Sequence, residues 1–82
     1  MKQVTILFFA TLRDLTGERR ISKTIFNDLD IAGLKTLLIE EFPALNNILD
    51  SVIVSMNHEY AFNDAIIISD AEIAFFPPVS GG

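Results

Sequence analysis

Cysteine is absent from this chain of 82 residues. Its absence excludes disulfide bonds and thiol catalysis, and so small a domain without disulfides fits a reducing compartment such as the cytoplasm. Histidine occurs once, at His58. No cluster of imidazoles can therefore hold a metal ion, and Ser80 has no histidine base. His58 itself reads as polar surface in a turn. Gly17 and Gly33 stand alone, outside any GxGxxG or P-loop pattern that would cradle phosphate. No apolar run approaches the ~20 residues of a membrane-spanning helix. Met1-Lys2-Gln3-Val4 leads straight into a strand-like segment, without the cleavage site of a secretory leader. Positive charge is scarce as well. Six Lys and Arg against eleven Asp and Glu give a net charge of −5, and the pI is near 4.5. The six basic residues are scattered along the sequence, which argues against a nucleic-acid partner. An acidic body suits a protein partner with a basic surface.

The carboxylates do not fill the gap. Asp28 and Asp30, or Glu40 and Glu41, are adjacent enough to count as pairs. Asp30, however, is placed as a helix N-cap, and the two glutamates lie on the solvated side of a helix. No self-contained catalytic constellation remains. If the chain takes part in catalysis, a partner supplies the site.

Half of the residues are hydrophobic, enough for one small core, and their spacing orders the elements. Residues 3–10 alternate and then become continuously apolar, which predicts a strand. Residues 11–15 form a short helical turn that Gly17 caps. Residues 18–26 form a second strand. After Asp30, the residues Leu34, Leu37, Leu38 and Phe42 recur at helical spacing, and Pro43 stops that helix. Residues 44–49 read as a short helical connector, residues 52–56 as a third strand, residues 60–62 as a brief fourth and residues 72–76 as the last. Residues 65–69 are apolar without a clear period. Two strands, a helix and then short strands are the order of a β-grasp, an α+β fold in which a mixed sheet wraps one main helix. Residues 1–76 form that domain. Leu34, Leu38 and Phe42 are expected to pack on Val4, Ile6, Phe8, Val54 and Phe75.

Alternation also marks a surface. Residues i and i+2 of a strand share a face. Gln3, Thr5, Leu7 and Phe9 form the outer set of the first strand, and Glu72, Ala74 and Phe76 that of the last. Each set begins polar and ends apolar. Leu7, Phe9 and Phe76, joined by Tyr60, are the expected partner interface.

The chain closes on Pro77-Pro78-Val79-Ser80-Gly81-Gly82. Each proline fixes φ near −65°, and glycine has no Cβ to block a narrow passage. Six residues span roughly 20 Å at about 3.3 Å each. Residues 77–82 are therefore expected to be an extended, flexible tail that inserts into a partner and presents the Gly82 carboxyl as the reactive group.

The segment Phe8-Phe9-Ala10-Thr11-Leu12-Arg13-Asp14-Leu15-Thr16-Gly17 resembles the FFAxLRE…G opening of molybdopterin synthase small subunits, a family of sulfur carriers. The stretch from Glu72 through the proline pair to Gly82 is similar to that family's EVAxxPPVSGG ending, and Val54-Ser55-Met56-Asn57 matches a strand ending in asparagine. The resemblance spans the chain. One departure is the family's Asp-Gly-Asp-Glu turn, which here reads Ser69-Asp70-Ala71-Glu72; the missing glycine suggests a different turn geometry.

The resemblance implies a ubiquitin-like fold and a role for Gly82. A partner adenylating enzyme would activate its carboxylate with ATP, and sulfur would replace AMP to give a thiocarboxylate. The tail would then enter the large synthase subunit, in a 2+2 heterotetramer, and give sulfur to cyclic pyranopterin monophosphate. The chain itself would bind no cofactor and no metal, and would be the non-catalytic donor subunit of a sulfurtransferase. The residues leave other readings open: a carrier for tRNA or thiamine thiolation, a ubiquitin-like modifier joined through Gly82 to a lysine, or an interaction domain without chemistry at its tail.

Overall fold

Strand alternation organises the first hairpin. In the computed structural model, which describes residues 1–78, strand β1 (Lys2–Phe8) buries Val4, Ile6 and Phe8 and leaves the alternate residues outside. Helix α1 (Thr11–Thr16) follows and is closed by Gly17, at φ 74°, whose N–H donates to the Arg13 carbonyl at 2.8 Å. That left-handed position is the one glycine occupies without a Cβ penalty. Strand β2 (Arg20–Ile25) returns antiparallel to β1.

Asp30 caps helix α2 (Ile31–Glu41), its Oδ1 accepting the Gly33 N–H at 2.8 Å. Gly33 has a second duty: a Cβ there would clash with Leu29 Cδ1, so the first turn of the helix lies directly on that side chain. Ile31, Leu34 and Leu38 are fully buried against the sheet. Pro43 ends the helix and opens a single 3₁₀ turn over Pro43–Leu45, shorter than the connector expected over residues 44–49. Leu45 and Leu49 extend the core beneath it.

Strands β3 (Ile53–Met56) and β4 (Glu59–Tyr60) form a hairpin. Its two loop residues, Asn57 at φ 53° and His58 at φ 72°, are both left-handed, the backbone that a two-residue hairpin loop of type I′ demands. The fourth strand stops at Tyr60 rather than Phe62. Strand β5 (Glu72–Phe76) enters between β1, which it parallels, and β3, which it opposes. The sheet order is β2-β1-β5-β3-β4. With α2 on one face, this mixed sheet is the ubiquitin-like β-grasp.

The predicted core is present. Leu34, Leu38, Val4, Ile6, Phe8, Val54 and Phe75 are all buried. Phe42 is half-buried and sets its ring edge-on to Phe8 at 5.8 Å. The turn before β5 holds a left-handed residue without glycine: Asp70 takes φ 60° and donates its N–H to the Gln3 carbonyl at 2.9 Å. Aspartate is among the few residues that tolerate this conformation. No helix among the described residues is long and apolar enough to cross a membrane.

Candidate functional site

The helix covers one face of the sheet, and the other face is open. Register places Leu7 beside Ala74, Ala74 beside Ser55 and Ser55 beside Tyr60, a row that crosses β1, β5, β3 and β4. One step toward the C-terminal end of β5, Phe76 lies beside Ile53. Phe9 continues past the end of β1, its N–H donating to the Phe75 carbonyl at 3.2 Å. The rings of Phe9 and Phe76 stack at 4.6 Å with 11° between their planes. The stack stands where the chain leaves the sheet, because Pro77 follows Phe76 directly.

All four residues of the expected interface therefore share one face. They are not equally open. Phe9 is 40% exposed and Tyr60 80%, while Leu7 and Phe76 are half-buried. Ala74, expected to point outward, does so yet is buried, because Leu7 and Ser55 flank its single methyl on neighbouring strands.

Register adds residues that alternation along single strands missed. Ile53 joins the patch through its pairing with Phe76, and Phe62 stands 78% exposed just beyond β4. Two shallow grooves cross this area. One, of about 340 Å³, is lined by Ser55, His58, Tyr60 and Phe76. The other, of about 350 Å³, is lined mainly by Ile53, Tyr60, Ala61 and Phe62. The parity of Ile53 within 52–56, and of Phe62 with Tyr60, was the available signal.

The hairpin that carries Tyr60 is tied to β5 by Asn57. Its N–H donates to the Glu72 carbonyl at 2.8 Å, and its Oδ1 accepts the Glu72 N–H at 2.8 Å. His58 Nε2 lies 3.9 Å from Glu72 Oε1 at the rim of the first groove. The one clear titration shift belongs to the helix side: burial lowers the Lys35 pKa, partly opposed by Asp50. Among the described residues no three of His, Cys, Asp and Glu gather as a metal site. Such a face can bind a partner, but it offers no acid, base or nucleophile arranged for catalysis. Pro77 is half-buried and Pro78 exposed. Val79, Ser80, Gly81 and Gly82, on which the reactive-tail expectation falls, lie outside the described residues.

A family model described as the ThiS family matches residues 6–82. The chain belongs to the ThiS family. By sequence, this ThiS-family member is 30% identical to the molybdopterin synthase sulfur carrier subunit of Arabidopsis thaliana, over 98% of this chain and 83% of that protein. SAMP1 from Haloferax volcanii superposes on it with a TM-score of 0.85 at 27% identity, covering 98% of this chain and 99% of that one. A chain in the complex of subunits 1 and 2 of the molybdopterin-converting factor from Helicobacter pylori superposes with a TM-score of 0.67 over 98% and 99% of the two chains. At 21% identity that likeness bears on the fold alone. The family match takes in the Phe9–Phe76 stack, the β3–β4 hairpin and the four residues beyond Pro78.

Proposed function

We propose that this chain is the sulfur carrier subunit of a molybdopterin synthase, with the Gly82 carboxyl as its reactive group. The similarity to the Arabidopsis carrier over 98% of the chain carries the reading. The open aromatic face beside the exit to Pro77 supports it.

The chemistry falls to partners. A Gly82 carboxylate oxygen attacks the α-phosphorus of ATP on an adenylating enzyme, and pyrophosphate leaves. The acyl carbon of the adenylate then carries a good leaving group. Attack by sulfur supplied at the sulfide level, as hydrosulfide, forms a C–S bond, breaks the C–O bond to AMP, which leaves, and gives a thiocarboxylate. That group stays ionised at neutral pH and is a soft nucleophile toward the pterin precursor. Two sulfurs are needed for each dithiolene, so two loaded carriers serve each product in a 2+2 assembly with the large subunit. Within this chain, Leu7, Phe9, Tyr60 and Phe76 dock. Pro77 and Pro78 keep the stem extended, and Val79, Ser80 and Gly81 pass the carboxyl through the partner's passage. Displacing the reacting carbon by about 1 Å can cost on the order of 100-fold in rate, and one appended residue moves it about 3.3–3.6 Å.

The test is intact-mass spectrometry after incubation with the adenylating enzyme, ATP and a sulfur donor. The parent chain gains the mass of one oxygen-to-sulfur exchange. Chains lacking Gly82, or extended by one alanine, gain none and remain folded. Equal sulfur loading of the altered chains contradicts the proposal. A second reading, transfer of the Gly82 carboxyl to a lysine amine, draws on the likeness to the small archaeal modifier SAMP1. It predicts isopeptide-linked adducts in cells in place of the thiocarboxylate.

A further inference from the structure

Three of the six basic residues, Arg19, Arg20 and Lys23, fall on one free edge of the sheet. Strand β2 ends the sheet, with β1 as its sole neighbour. The Phe8 N–H donates to the Arg19 carbonyl at 3.0 Å, which fixes the phase of this antiparallel ladder. Hydrogen-bonded pairs alternate along such a ladder, so Ile21, Lys23 and Ile25 turn their backbone groups toward β1. Arg20, Ser22 and Thr24 turn theirs away, and among the described residues those groups have no hydrogen-bond partner. Three donors and three acceptors thus stand in a row along the edge.

The charge beside that row is the reverse of the molecule's. Residues 18–25 hold Arg19, Arg20 and Lys23 against Glu18 alone, in a chain of net charge −5. Pairing with Leu7 puts Arg20 on the open face, while Lys23 points to the helix side and pairs with Glu41. Arg19, also exposed, precedes the strand at the end from which the tail departs.

We infer that the β2 edge accepts an extended, acidic segment of a partner protein as a sixth strand. Backbone pairing supplies the register, and carboxylates on alternate residues, which share one face, meet Arg20 on the open face, with Arg19 adding positive charge at the end of the strand. A second copy of this chain does not fit the site. Among the described residues the only acidic edge it could offer is β4, and β4 has two residues, too few to cover the row. β2 lies at the opposite end of the sheet from Tyr60. A partner held there leaves the β3–β4 hairpin and Gly82 free for another protein, so the carrier could be retained while its tail is worked on.

The experiment titrates the full-length chain, followed by amide NMR, with an end-blocked eight-residue peptide of alternating valine and glutamate, and with its lysine counterpart. The glutamate peptide shifts residues 20–25 most and slows hydrogen exchange at Arg20, Ser22 and Thr24. The lysine peptide does neither. Reversing both charges (Arg19→Glu with Arg20→Glu) weakens binding about tenfold or more. Ser22→Pro removes an outward N–H and not a rung of the β1–β2 ladder, so it abolishes binding while the fold persists. If that variant unfolds, exchange protection in the parent and the charge reversal still decide. Shifts centred elsewhere, or unchanged binding by the charge-reversed chain, overturn the inference. So does a chain that ignores the peptide yet self-associates once its arginines are reversed, because the arginines would then serve only to guard the edge.

Discussion

Two pairs of adjacent phenylalanines divide the work of this sheet. Phe8 and Phe75 stack at 6.1 Å beneath the helix, with exposures of 2% and 0%. Their neighbours Phe9 and Phe76 stack at 4.6 Å on the opposite face, with Phe9 40% exposed. The same two chain segments carry both pairs. One residue of offset is all that separates a ring that builds the core from a ring on the open face. Composition cannot tell these rings apart, and register does so completely.

The largest effect expected is on the inner pair. Phe75→Ala empties the centre of the core and should cost about 3–5 kcal/mol of stability in chemical denaturation. A loss below roughly 1 kcal/mol would erase the distinction between the two faces. Asn57 comes next, because it binds both backbone groups of Glu72 from a left-handed position. Asn57→Ala should cost about 1–2 kcal/mol through backbone strain and the lost acceptor. Asn57→Gly, which keeps the backbone but not the acceptor, should cost less. Equal losses would show that the side-chain bond alone matters.

The smallest effect concerns Lys35. Burial lowers its pKa in the folded chain below the ordinary lysine value of about 10.4, so across that window the unfolded chain binds more protons. Stability therefore rises with pH between the lowered value and the ordinary one. Lys35→Met should flatten that alkaline rise, and an unchanged slope would assign it to other groups.

Much of this was legible in the sequence. Val4, Ile6 and Phe8 announced their strand by alternation, Asp30 and Pro43 bounded the helix, and Gly17 marked a left-handed cap. Residues 65–69 did not declare themselves, because they belong to no regular element. Their backbone is instead held by distant partners, Ile31 N–H to the Ala65 carbonyl and Ile67 N–H to the Leu29 carbonyl, both at 3.0 Å. Ile67 joins the core through those bonds rather than through any local period, and Ala71 through its carbonyl, which accepts the Thr5 N–H at 3.0 Å. The residues expected at the interface share the open face as alternation along each strand predicted. Ile53 was placed by its cross-strand pairing with Phe76, and Phe62 by its exposure just beyond β4.

The division between the two faces is tested most directly by Phe76→Ala, read by thermal unfolding and by calorimetric titration with the large synthase subunit. Losing the Phe9 stack should cost the free chain about 0.5–1.5 kcal/mol and leave it folded. Affinity should fall by about 2 kcal/mol or more, roughly 30-fold. A folded Phe76→Ala chain that binds the large subunit as tightly as the parent would contradict the account.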